Sequence, residues 1–423
     1  MYIREIHIEN IRGFRAGSRP VRLDLTRPDG KLAGWTVIVS RSVEDKTALL
    51  RAIAQAIIGP RASHALQDNL SDWIAPGESR GLTLVRLVPG SADTYAGTAF
   101  TSKSAREPFW SGMVWRHLGE SRESFASPHE GEAASAGPWN PDTSGWVLAG
   151  YGPFRRLGGR ALAAQHLLEG PARIARLVSL FHEDATPPEV LGWLRNFYLR
   201  RIGGDPSAKE AKEFEQAMLQ LLDQGLLPKG LVVDKLHSDG LWVRRNGLRL
   251  PLRDLGRSAS IVAALALDLS RQLCPNLADF RVEKEGERWV VPYEGVVLLD
   301  AFDAELNGSW RQRAGVWLKT HFPRVQFIVT AHSPFVCQAA DARGLIWLPT
   351  SAEDRPAQHI AEPLFKALID GTADENQIAE LFGVEYLEGS QWDEVRENLK
   401  RSPRGAGRAR PEAHEAAPKS GGG

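Results

Sequence analysis

Gly295-Val296-Val297-Leu298-Leu299-Asp300-Ala301 is the stretch that decides the fold of this 423-residue chain. From Gly295 to Leu299 no side chain is polar, and then a carboxylate appears. A short unbroken apolar run of this kind reads as a strand buried on both faces. A second one, Val325-Gln326-Phe327-Ile328-Val329-Thr330-Ala331, ends in His332-Ser333-Pro334. A third, from Trp35 to Val39, leads into Ser40-Arg41-Ser42-Val43-Glu44-Asp45-Lys46-Thr47. A helical pattern follows, with Leu49, Leu50, Ile53, Ala54 and Ile57 repeating at three and four. Gly59-Pro60 is expected to end it.

Working outward, Tyr2 to Asn10 alternates apolar and polar residues and reads as a strand, as does Val21 to Leu25. Residues 60–144 are rich in Ser, Gly and Pro; beyond a strand at Leu82 to Leu87 they read as a surface excursion. Leu241-Trp242-Val243 and Leu248-Arg249-Leu250 flank Asn246-Gly247, a hairpin turn signal. A long helix is expected from about Ser258 to Leu273. A Trp-bearing helix should join the Asp300 and His332 strands, with Trp310 and Trp317 on one face. The expected division is an N-terminal lobe over 1–159, a helical insertion over 160–230, a C-terminal lobe over 231–350 and a helical segment over 351–400. Residues 401–423, rich in Arg, Pro, Ala, Ser and Gly, are expected to be a disordered tail.

Fifty-two basic residues balance 52 acidic ones. A zero net charge argues against a nucleic-acid footprint over the whole surface, while a local basic face can still hide in the average. Cys274 and Cys337 show neither ligand spacing nor a disulfide framework and are expected as core fillers in a reducing cytoplasm. No apolar run reaches the roughly 20 residues needed to span a bilayer. The expected localisation is cytoplasmic, with no membrane partner.

The order of these segments resembles the RecF/SMC-like ABC-type ATPases, especially the bacterial ATPases related to the OLD and Septu-type defence proteins. The resemblance covers most of residues 1–350. It rests on Ile8-Glu9-Asn10-Ile11-Arg12-Gly13-Phe14, on Lys46 to Ile53, on Leu298 to Leu306 and on Thr330-Ala331-His332-Ser333-Pro334. It implies an α/β fold: an ABC/RecF-like P-loop NTPase head with a central mixed sheet, a helical insertion and a small C-terminal helical segment. It also implies roles. Asp300 would be the Walker B carboxylate and, with Thr47, would hold magnesium if a magnesium nucleotide binds. His332 would be the remnant of a switch histidine. The residue after Asp300 would be a catalytic glutamate, and here it is Ala301.

The chemistry looks dismantled beside this pattern. A working phosphate loop, GxxxxGK[ST], needs glycines so that backbone N–H groups can turn around phosphates. Aligned on Lys46-Thr47, this chain has Ser40 and Asp45 at the two glycine positions. Asp45 adds a side chain and a negative charge, and Glu44 adds another. Lys46 and Thr47 remain as nucleotide-contacting candidates; the other reading is that Lys46 pairs with Glu44 or Asp45 and caps the helix. The signature segment, Leu-Ser-x-Gly in the family, is Leu255-Gly256-Arg257-Ser258 here. Ser258 either touches a nucleotide held by another subunit or, like Ser260, caps its helix. Asp303 and Glu305 fall in the segment that resembles the D-loop, which crosses to the opposite subunit, so neither is expected to replace the glutamate in cis. His332 contacts a γ-phosphate or bonds to Asp300 or Ser333. Arg155 and Arg156 after Gly150-Tyr151-Gly152-Pro153 read as a solvated turn or a contact to nucleotide, nucleic acid or a partner.

The leading expectation is a pseudo-ATPase, a scaffold or regulatory subunit that binds ATP and magnesium weakly or not at all. It would oligomerise through the head face with itself, with an active ATPase or with a nuclease partner, in defence or DNA maintenance. One alternative is a genuine ATPase completed by a partner subunit. A nucleotide-independent DNA clamp is the third.

Overall fold

The structure is a computed structural model. It describes residues 1–67, 70, 72–97, 106–117, 124–153, 165–168, 170–182, 198–199, 208–227, 230–237, 240–255, 257–274 and 280–383. Arg155, Arg156 and the tail 401–423 lie outside the described residues.

The N-terminal strands enter two sheets. β1 (Tyr2–Glu9), β2 (Val21–Asp24), β4 (Arg80–Val88), β5 (Phe109–His117) and β6 (Ser124–Glu130) form an antiparallel sheet ordered β2-β1-β4-β5-β6. The residues expected as a surface excursion therefore differ in part. β5 and β6 extend this sheet, and Met113 and Trp115 are wholly buried against its helix. Their turn-rich, weakly alternating sequence hid this, because both faces of the middle of β5 are covered and no period of two survives.

The central sheet runs β16-β15-β3-β14-β13-β7, with β3 (Trp35–Val39), β7 (Leu148–Tyr151), β13 (Gly295–Leu299), β14 (Val325–Ala331), β15 (Leu345–Trp347) and β16 (Gln358–His359). Its pairs are parallel except β15 with β16, so it is mixed. β3, β13 and β14 are buried at every position, as their largely apolar runs require, with Thr36, Gln326 and Thr330 as buried polar exceptions. Each large aliphatic side chain so buried contributes roughly 1.5–3 kcal/mol.

Helix α1 (Val43–Leu66) packs between the two sheets. Gly59 breaks it with φ 82, and Pro60 restarts it, so the helix kinks there and continues to Leu66. A Cβ at Gly59 would sit 2.6 Å from the Trp139 ring. The far side of the central sheet is covered by the Arg257–Leu273 and Gly308–His321 helices; Trp310 and Trp317 of the second are buried in one apolar cluster. Within 160–230 the described elements are mainly helices, the longest being Ala208–Asp223. Two short helices, Glu362–Asp370 and Glu375–Phe382, close the described chain. A three-stranded sheet, β8 (Leu231–His237), β9 (Gly240–Arg245) and β10 (Leu248–Pro251), turns at Asn246 and Gly247, both at positive φ. β11 (Glu283–Glu285) and β12 (Arg288–Val290) form a small ribbon.

Candidate functional site

The parallel strands place the expected residues together. β3 delivers the Ser40–Lys46 loop, β13 delivers Asp300 and β14 delivers His332, all at one edge of the central sheet. Thr47 Oγ1 donates to Asp300 Oδ2 at 2.5 Å, and Thr330 Oγ1 donates to Asp300 Oδ1 at 2.6 Å. The Asp300 backbone N–H donates to Tyr151 O at 2.8 Å. The carboxylate is thus held from α1 and β14, and the Asp300 backbone from β7. Thr330 had no assigned role in the sequence; a hydroxyl inside an otherwise apolar strand was the available signal.

Lys46 is fully buried. Its Nζ donates to Ser40 O at 2.6 Å and lies 3.1 Å from His332 Nδ1. It caps nothing and forms no ion pair with Glu44 or Asp45 among the described residues. Burial pulls its pKa down to about 8, against the opposing pull of Asp303, Asp300, Glu44 and Asp45. Burial, then the Lys46 charge, lowers His332 below its usual range. His332 is bonded to neither Asp300 nor Ser333; its backbone N–H lies 3.1 Å from both Asp303 oxygens.

Asp303, in the segment that resembles the D-loop, is buried and faces His332 and Lys46 of its own chain. Ala301, in the glutamate position, is held in the left-handed region at φ 41 by its N–H bond to Thr330 Oγ1 and by the Phe302 N–H bond to Thr330 O.

The loop gives a correction: the partner of Asp45 is Arg19, where the sequence offered Lys46. Arg19, 2% exposed, donates to Asp45 Oδ2 at 2.7 Å, to Gly13 O at 3.0 Å and to Pro349 O. A Cβ on Gly13 would stand 2.6 Å from this guanidinium, so the close approach depends on a glycine. Nothing in the sequence singles out Arg19; only folding brings residues 13, 19, 45 and 349 to one point. The Ser42 hydroxyl takes the Asp45 N–H at 3.1 Å, and Ser40 Oγ takes the Ser42 N–H at 3.1 Å. α1 starts at Val43, three residues before Lys46. Arg41 is anchored away from the loop, donating to Glu380 O at 2.9 Å.

The signature candidate is also occupied. Ser258 Oγ accepts the Asn307 N–H at 3.0 Å and reaches Glu305 O at 3.5 Å, while Ser260 Oγ donates to Leu252 O at 3.0 Å. Neither serine caps its helix. Both tie it to neighbouring segments of the same chain. A cleft of about 790 Å³ opens beside the start of α1, with Arg12, Arg15, Arg51, Glu44, Thr47 and Trp73 on its walls.

The donor set fits the two groups of a magnesium nucleotide unequally. Thr47 and Asp300 offer the hard oxygens that magnesium takes. A triphosphate fits the loop poorly, because two carboxylates flank it and its own hydroxyls hold two of its amides. Among the described residues no group of three or more His, Cys, Asp or Glu is placed to hold a metal by itself.

The fold is α/β, built on a central mixed sheet. The chain is similar to the Septu protein PtuA of Bacillus mycoides, 22% identical over 346 residues, which cover 82% of this chain and 39% of that protein. It is similar to the retron Ec83 probable ATPase of Escherichia coli, 33% identical over 111 residues, 26% of this chain and 18% of that protein. It therefore spans well under two thirds of the length of these curated relatives. The SMC head domain from Thermotoga maritima superposes with a TM-score of 0.42 at 13% identity, covering 85% of this chain and all of that one. No protein-family model matches the chain. Among the described residues no helix is long and apolar enough to cross a membrane.

Proposed function

We propose that this chain is a pseudo-ATPase head, a scaffold or regulatory subunit of a bacterial defence or DNA-maintenance complex, working without nucleotide turnover. One observation carries the reading: the loop's phosphate-facing chemistry is satisfied internally. Ser42 and Ser40 hold the loop amides, and Asp45 is neutralised by buried Arg19. A triphosphate entering there would have to displace these bonds and meet Glu44. Ala301 offers no group to orient or deprotonate an attacking water. The defence setting is drawn from the PtuA and retron relatives, and the partner would be a second copy, an active ATPase or a nuclease. The expected place of action is the cytoplasm.

A second reading has its own support. Lys46, Thr47, Asp300 and His332 converge within hydrogen-bonding reach, which suits an atypical ATPase completed by a partner. A titration with a fluorescent ATP analogue, with and without magnesium, separates the two. The pseudo-ATPase reading expects no saturable magnesium-dependent binding below about 1 mM, a free energy of only about 4 kcal/mol. Micromolar, magnesium-dependent binding that disappears in Lys46→Ala would establish the second reading.

A further inference from the structure

We propose that the β9–β10 hairpin docks on the phosphate backbone of a nucleic-acid duplex, independently of the nucleotide site. The chain as a whole is neutral, but this small sheet is not. Strands β8 to β10 carry Lys235, Arg244, Arg245 and Arg249 against a single carboxylate, Asp234. Val243 is fully buried, so strand alternation sends its neighbour Arg244 to the outer face. Register places Arg244 between Val232 and Arg249, forming one row across the three strands. Arg245 lies opposite Leu248 at the tip, beyond the core. Asp234 lies 2.9 Å from Arg249 and 3.6 Å from Arg244, which orients both guanidiniums while cancelling one charge.

Among the described residues four large apolar side chains are exposed, and two of them belong to this sheet: Val232 at 44%, in the Arg244 row, and Leu248 at 69%, beside Arg245 on the other face. The turn next to Leu248 has Asn246 at φ 50 and Gly247 at φ 83, the combination of a tight two-residue hairpin. A hydrophobic protein interface would be depleted of charge at its centre. Here guanidiniums dominate, and their planar forks match phosphate oxygens. A two-stranded ribbon fits a duplex groove, and an exposed leucine flanked by arginines suits a wedge set against base steps.

The test uses the full chain and a labelled 30-base-pair duplex, with anisotropy read from about 50 to 200 mM salt. Duplex DNA and duplex RNA are separate arms, and a polyglutamate peptide is a third. The parent should bind a duplex with affinity that falls steeply with salt. Arg245→Ala with Arg249→Ala should weaken binding at least about tenfold and lower the salt slope by about 1 for each phosphate no longer neutralised. Leu248→Ser should weaken it with the slope unchanged. Arg22→Ala, an exposed arginine on the distant β2, should bind as the parent does. Equal thermal unfolding midpoints would show that the variants are folded. No salt-dependent duplex binding by the parent, binding indifferent to Arg245 and Arg249, or equally tight capture of polyglutamate would each overturn the proposal.

Discussion

Ala301 and Lys46 show how far single residues decide chemistry here. Ala301 stands where a catalytic glutamate is implied, in a left-handed conformation kept by Thr330. Ala301→Glu alone should leave ATP turnover at the level of Lys46→Ala, measured by phosphate release. A carboxylate cannot help where phosphates are not held, because positioning precedes chemistry. Turnover of about 1 per minute or more in that variant would mean the loop is competent. Lys46 makes a pH prediction. Its pKa is near 8 in the folded chain and near 10.5 in the unfolded one. Between those values the unfolded chain binds more protons, so stability rises with pH. The burial cost is fully present below about pH 8 and is relieved above 10.5. Denaturation of the parent against Lys46→Met should show the parent gaining up to ~3 kcal/mol across that window. A flat difference would mean that Lys46 is solvated.

At the scale of elements, the phosphate loop has become a junction. Arg19 joins the β1–β2 connection, the start of α1 and the chain after β15 through three acceptors. Asp45→Ala should destabilise the protein by about 3–5 kcal/mol, because it strands a buried guanidinium. Arg19→Met with Asp45→Leu should recover part of that loss. A double-mutant cycle in urea then isolates the pair's coupling, and additive single effects would show that the pair contributes nothing of its own. The same junction explains a missed reading. The sequence offers Asp45 only its neighbour Lys46 as a partner, because Arg19 lies 26 residues away in a turn without periodicity. The place of Asp303 is equally a matter of folding: the bend at Ala301 turns it onto His332.

For the whole molecule, the resemblance to ABC-type heads implies that a partner would meet the loop edge of the central sheet. Exposed Val43 and Glu44 lie on it. Asp45, next to them, already has Arg19 as its partner. Self-association should therefore be independent of nucleotide: light scattering at tens of micromolar should give an oligomer of one size with and without ATP and magnesium. A monomer under both conditions would leave only a different protein as partner.

The sequence by itself determined the framework. Three largely apolar runs fixed β3, β13 and β14, because a strand buried on both faces tolerates few polar residues. The residues that end them placed the loop, Asp300 and His332 at one edge, since parallel strands share a direction. The Asn246-Gly247 pair fixed the hairpin through its backbone preference. The tertiary structure alone decided what fills the site and how far the N-terminal sheet extends. Those outcomes rest on pairings between residues distant in the chain: Arg19 with Asp45 and Pro349, Ser258 with Asn307, and β5 against α1. A local pattern records how a segment meets its own neighbours. It carries no trace of which distant charge or hydroxyl will be folded against it.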